Sequence, residues 1–199
     1  MNLPNKLTVF RLILVPFCIT AVVMPGSVIP ADISAIAAAV IFAAASFTDM
    51  LDGRIARKYG LVTDLGKFLD PLADKFMVIG TMMAIVYRND AIRPWFFWLV
   101  LCVIFREFAV TSLRLVISAS SGEVVAAAMP GKIKTVLQMF TVLSALLEPV
   151  FAGLSGAGEV YFRILPVTLC LSVLAFIFTL WSGIDYFVSY AKKRKETSK

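Results

Sequence analysis

At 199 residues the chain has room for one domain of ordinary size, yet residues AVILMFWYC make up 60% of it, charged residues only 16%, and its mean hydropathy is +0.88. Typical globular chains are roughly 45–50% apolar and about 25% charged, so a water-soluble enzyme and a disordered chain are both excluded. The net charge of +6 comes from basic residues that flank apolar stretches, so the expected neighbour is the anionic face of a membrane, and nucleic acid is not an expected partner.

A bilayer span needs about 20 mostly apolar residues. The first such stretch runs from about Leu7 to Met24 and is closed by Pro25-Gly26. The second starts near Ile33, with its helix continuing to about Lys58, and a polar segment from Arg54 to Lys67 follows. The third covers about Leu69 to Tyr87, the fourth Trp95 to Ile117, the fifth Ile133 to Leu154 and the sixth Ile164 to Val188. A basic tail, 192–199, ends the chain. The expected fold is therefore all-α: a polytopic membrane protein in one domain, 1–199, with six transmembrane helices in one bundle.

Orientation follows from the loops. One side holds Lys6, Arg54, Arg57, Lys58, Lys67, Lys132, Lys134 and the Lys192–Lys195 cluster, whereas the other holds Arg88, Arg93 and Arg163. Basic residues favour the cytoplasmic side, so both termini are expected there. Arg11 interrupts the first apolar run and no A-x-A-like site follows Met24, which argues against a cleaved signal peptide. Cys18, Cys102 and Cys170 lie in separate apolar stretches and read as reduced core residues. The run Trp95-Phe96-Phe97-Trp98 reads as an interfacial aromatic belt.

The chain has no histidine, so carboxylates must carry any acid–base work. Charges in or beside spans are costly and need a reason. Asp49, Asp52, Asp64, Asp70 and Asp74 fall within 26 residues, where the second span leaves and the third enters. Asp49 and Asp52 are three apart and Asp70 and Asp74 four apart, so each pair shares a helix face. If the helices are neighbours, four carboxylates converge, and they repel one another unless hard cations with oxygen ligands sit between them. Gly53, Ala56 and Gly66 keep the cleft free of bulk, and Arg54, Arg57, Lys58, Lys67 and Lys75 ring it. Acids that hold cations, surrounded by bases that hold anions, suit a metal-bound phosphate or pyrophosphate. For Asp64 and Lys58 a solvated, ion-paired loop is the simpler reading.

The pattern Asp49-x2-Asp52-Gly53-x2-Ala56-Arg57-x8-Gly66-x3-Asp70-x3-Asp74 resembles the signature of the CDP-alcohol phosphotransferase family at each of its eight fixed positions. The resemblance implies a six-helix membrane enzyme, usually a homodimer, that displaces CMP from a CDP-linked lipid or alcohol with Mg²⁺ or Mn²⁺ in a two-metal site. It implies that Asp49, Asp52, Asp70 and Asp74 hold metal, with Asp74 also the catalytic base. Asn5, Thr8, Gly53, Ala56, Arg57, Thr63 and Gly66 would bind the CDP-diacylglycerol. The flanking stretches Pro4-Asn5-Lys6-Leu7-Thr8 with Arg11, Thr63 to Lys67, Asp70 to Lys75, Arg106-Glu107-Phe108 and Gly131 to Thr135 resemble one bacterial branch. That branch joins CDP-diacylglycerol to sn-glycerol 3-phosphate at the cytoplasmic face of the inner membrane.

Bases outside the signature suit a second, anionic substrate. Arg106 and Arg114 are eight apart on one face of the fourth span, and Lys132 and Lys134 open the fifth. All four are expected to bind the glycerol phosphate. The bland alternatives are that Arg106 pairs with Glu107 or an aspartate, that Arg114 snorkels to headgroups, and that the lysines obey the positive-inside rule. An inositol phosphate, serine or phosphatidylglycerol acceptor stays open as a sister-branch alternative. A cation channel or transporter is disfavoured because the acids sit at one membrane face and no inverted repeat is visible. A membrane prenyltransferase would need a second Asp-rich motif.

Overall fold

The computed structural model describes residues 3–59, 64–121 and 129–197, with side chains at 5–49, 66, 69–116 and 129–191. Its described residues form helices without strands: α1 (Leu3–Val23), α2 (Ala31–Tyr59), α3 (Asp64–Arg88), α4 (Arg93–Ser121), α5 (Met129–Leu154), the short α6 (Glu159–Ile164) and α7 (Pro166–Thr197). Each of the six expected spans lies in a long helix, except that the sixth begins in α6. The Lys192–Lys195 cluster continues α7, and its side chains lie outside the described residues.

The helix ends follow local chemistry. Pro25 and Gly26 stop α1 after Val23, and Pro30 precedes the first turn of α2. Between α3 and α4, Arg93 folds back so that its Nε donates to the Val86 carbonyl and its Nη2 to that of Tyr87, both at 2.8 Å, capping the end of α3. The sixth apolar stretch is broken because Pro166 cannot continue a helix. Leu165 takes a left-handed conformation there, with φ 44°, and α7 starts afresh.

The start of α7 is held from another helix. The buried Glu148 of α5 accepts hydrogen bonds from the backbone N–H of Val167 (3.0 Å) and Thr168 (2.7 Å) and from the Thr168 hydroxyl (2.6 Å). These amides have no partner within their own helix, and a carboxylate also suits the positive end of its dipole. Glu148→Ala is expected to cost roughly 2 kcal/mol or more, since it strands buried donors. The check is a lower unfolding temperature in detergent at unaltered low-temperature activity; an unchanged melting curve would show that water replaces the cap.

Helix α1 packs against α2 and α3, and α7 packs against α4 and α5; contacts of α2 with α5, and of α3 with α4 and α5, join the two groups. The shared core includes Cys18, Phe42, Met82, Phe96, Val103 and Val142. Outward faces are apolar too: Phe105 is 77% exposed, and Phe10, Phe17, Val40, Phe140 and Trp181 also point outward. A helix that is apolar on every side belongs in a bilayer. Among the described residues five helical stretches are long and apolar enough to cross one: Asn5–Val23, Ala31–Asp49, Arg93–Val116, Met129–Leu154 and Glu159–Ala191. Helix α3 is absent from that set because Asp70, Asp74 and Lys75 load one half of it and Arg88 its other end, leaving Phe76 to Tyr87 uncharged.

Two expectations need correction. Of the three free cysteines only Cys18 is buried; Cys170 lies on the exposed face of α7, so it is not a core residue. Of the aromatic run, Phe96 is wholly buried and Trp95 half-buried, because a helix turns about 100° per residue and cannot present four successive rings to one interface. Only Phe97 and Trp98 remain on the outside.

Candidate active site

The chain runs back and forth, so the early part of α1, the late part of α2, the early part of α3 and the early part of α5 meet at one end. Helix α4 reaches that end through Arg106 and Glu107, and α7 through Ser182. Glu148 and the start of α7 lie at the other end.

Asp49 on α2 and Asp70 and Asp74 on α3 come together here: Asp49 lies within electrostatic range of both of the others. Two of the three are steadied by α1. Arg11, which is 1% exposed, places Nη1 2.7 Å from Asp49 Oδ1. The hydroxyl of the buried Thr8 donates to Asp70 Oδ1. Asn5 is buried on the same helix, and Gly66 is buried one turn before Asp70. The side chains of Asp52, Ala56 and Arg57, with Gly53, lie outside the described residues, as does Thr63. Helix α2 is nonetheless continuous through Asp49 and Asp52, which keeps their shared register.

Among the described residues no three acids close tightly enough to enclose an ion, and Asp52 was not among them. What is present is three carboxylates, all hard oxygen donors, from two adjacent helices. That donor set fits a hard divalent cation and does not suit a soft one.

The second half of the site is basic. Lys134 of α5 is buried and its ammonium donates to Glu107 Oε1, while Arg106 Nη1 lies 3.2 Å from the same oxygen. Arg106 Nε also donates to Ser182 Oγ of α7 at 3.1 Å. Ser182 in turn donates to the Thr179 carbonyl at 3.0 Å, and Gln138 Nε2 donates to Thr179 Oγ1 at 3.1 Å. Lys75 donates to Thr111 of α4 and stands in electrostatic range of Asp74, Arg106 and Arg114. Arg114 is exposed, its guanidinium carbon 5.5 Å from the centre of the Tyr186 ring. Lys132 is exposed as well, because it is two residues from Lys134 and so faces another way.

Asp74 joins the halves. It lines a cavity of about 40 Å³ together with Lys75, Glu107, Lys134, Thr135 and Gln138. The arrangement unites the four expected bases unequally: Arg106 and Lys134 meet, while Arg114 and Lys132 lie at the surface. Sequence reading set Lys75 in the ring of bases around the cleft and noted Arg11 and Glu107 in the flanking stretches, but gave none of the three a site role, and it passed over Gln138 and Ser182. Those last two carried no local signal, because their place depends on helix packing.

Fold and site together define a polytopic helical membrane protein whose aspartate cluster adjoins a partly buried basic pocket built on Lys134. The family model described as CDP-alcohol phosphatidyltransferase matches residues 1–182, and the chain belongs to that family. It is 42% identical over 193 residues to the CDP-diacylglycerol--glycerol-3-phosphate 3-phosphatidyltransferase of Bacillus subtilis, covering 94% of this chain and 93% of that protein. Proteins of the same name from Rickettsia felis and Sodalis glossinidius are 35% identical (96% of each chain) and 32% identical (94% of this chain, 93% of the other).

Proposed function

We propose that the chain transfers the phosphatidyl group of CDP-diacylglycerol to sn-glycerol 3-phosphate, giving phosphatidylglycerol phosphate and CMP, in phospholipid biosynthesis. The observation that carries this reading is the buried Lys134 beside Asp74, joined through Glu107 to the largely buried Arg106, in a chain that aligns nearly end to end with relatives bearing that enzyme name. Glu107 supplies one negative charge to two cations, so a neutral alcohol would leave one positive charge uncompensated in a partly dehydrated pocket.

The glycerol phosphate 1-hydroxyl attacks the β-phosphorus of CDP-diacylglycerol; the new P–O bond forms as the bond to the CMP oxygen breaks. Asp74 accepts the hydroxyl proton, as the only carboxylate of the trio that also borders the basic pocket. Arg106 and Lys134 hold the acceptor's phosphate and thereby aim its far hydroxyl. Asp49, Asp52, Asp70 and Asp74 would hold Mg²⁺ or Mn²⁺, which when bound spreads the charge of the diphosphate. Arg11 and Thr8 keep Asp49 and Asp70 aligned for that task.

In this reading α3 is the sixth span, its charged half sheltered by α1, α4 and α5. Both termini and the site face the cytoplasm, in keeping with the excess of Lys and Arg at that end. The enzyme sits in the inner membrane and acts as a homodimer.

The test is CMP release by purified protein in detergent with CDP-diacylglycerol. Glycerol 3-phosphate is expected to support release that a chelator abolishes, and glycerol is not. Equal rates with both acceptors would overturn the reading.

A further inference from the structure

We propose that Glu107 is a positioning residue of the acceptor pocket: its carboxylate holds the Arg106 guanidinium and the Lys134 ammonium side by side as one two-pronged cradle for a phosphate monoester. The proposal rests on the reading above in taking that phosphate to be the acceptor's.

Two cations from different helices repel, and they do so most where water is scarce. Arg106 and Lys134 are within electrostatic range of each other, and their side chains are 12% and 6% exposed. Glu107 Oε1 receives both, Arg106 Nη1 from its own helix and Lys134 Nζ from α5. One carboxylate between two bases leaves the trio with a net charge of one plus, so it still attracts an anion. The carboxylate itself is 15% exposed, which leaves it little water to turn to.

The rest of Arg106 is fixed as well. Its Nε is tied to Ser182, and Gly183 brings α7 so close that a Cβ there would lie 3.5 Å from the arginine Cγ. Its Nη2 points toward the start of α5, 3.7 Å from where a Cβ on Gly131 would stand. With Nε and Nη1 already engaged, Nη2 is the edge left for a ligand, and it opens beside the turn that delivers Lys134. Glu107 also lines the small cavity bordered by Asp74, which sets the distance between phosphate cradle and base.

Removing the carboxylate has two opposed consequences. Less negative charge would by itself favour a phosphate. Yet a buried ammonium stripped of its counter-ion is an uncompensated charge, and the flexible lysine stem lets it swing away. The structure favours the second effect, because among the described residues Glu107 alone receives the Lys134 ammonium.

The experiment measures inorganic phosphate binding to the full-length protein in detergent, with chelator present so that no added cation takes part, from the phosphate-dependent rise in unfolding temperature. Wild type should bind; Glu107→Gln, which keeps size and an acceptor oxygen, and Glu107→Ala should bind at least tenfold more weakly, and Glu107→Asp should recover most of the loss. In turnover assays the glycerol 3-phosphate KM should rise in the same order, with the CDP-diacylglycerol KM within about twofold of wild type. Equal or tighter phosphate binding by Glu107→Gln, no binding by wild type, or donor and acceptor KM rising together would overturn the proposal. Phosphate binding that depends on Glu107 in a protein that does not turn over glycerol 3-phosphate would instead uphold the cradle and overturn the functional reading.

Discussion

Asp74→Asn is expected to slow CMP release by roughly 10²–10⁴-fold, the usual worth of a general base, while metal-dependent binding of CDP largely survives. The three described aspartates are not equivalent. Arg11 engages Asp49 and Thr8 engages Asp70, both from α1, so these two are fixed for the cation-holding role proposed for them. Asp74 lies one turn further into α3 and shares a cavity with Lys134 and Glu107, the place the proposed mechanism gives to the acceptor hydroxyl. Asparagine preserves the size and one oxygen but cannot take a proton. Asp49→Asn and Asp52→Asn should instead weaken cation and nucleotide binding together. Calorimetric titration of CDP with Mg²⁺, set beside CMP-release rates for the three variants, separates the roles. Turnover by Asp74→Asn within about threefold of wild type would assign proton removal to another group.

The acceptor bases should divide just as sharply. Arg106→Ala and Lys134→Ala each remove a largely buried charge from the proposed phosphate cradle, and charge-assisted hydrogen bonds contribute about 1.5–3 kcal/mol, so the KM for glycerol 3-phosphate should rise roughly 10- to 100-fold. Lys132→Ala should cost several-fold less, since Lys132 is exposed and points away from the pair. Steady-state kinetics with each substrate varied in turn provides the measurement. A Lys132→Ala defect as large as that of Lys134→Ala would mean that the acceptor binds nearer the surface than the buried pair.

The aspartate pattern was legible because its information is local: spacings of three and four on continuous helices read as shared faces whatever the tertiary fold. The same holds for most span positions, whose apolar runs are bounded by proline, glycine and charge. The pairings that finish the site are not local. Thr8 meets Asp70 across 62 positions, Glu107 meets Lys134 across 27, and Arg106 meets Ser182 across 76. No periodicity encodes such pairs, and the last helix, which carried no motif, still supplies the serine that holds Arg106. The phase of α5 was equally hidden: Lys132 and Lys134 look alike in sequence, and packing of α5 against α7, α2 and α3 decides which is buried. For the aromatic run, composition pointed to the interface while helical rotation sends Phe96 into the core.

The transfer of a phosphatidyl group to glycerol 3-phosphate is tested most directly by the identity of the lipid made. Purified protein in detergent would receive CDP-diacylglycerol, Mg²⁺ and an equimolar mixture of glycerol 3-phosphate, inositol phosphate, serine and phosphatidylglycerol, with the lipid products read by mass spectrometry. Phosphatidylglycerol phosphate as the dominant product is the predicted result. A dominant product bearing inositol phosphate or serine, or one carrying a second phosphatidyl group on phosphatidylglycerol, would contradict it.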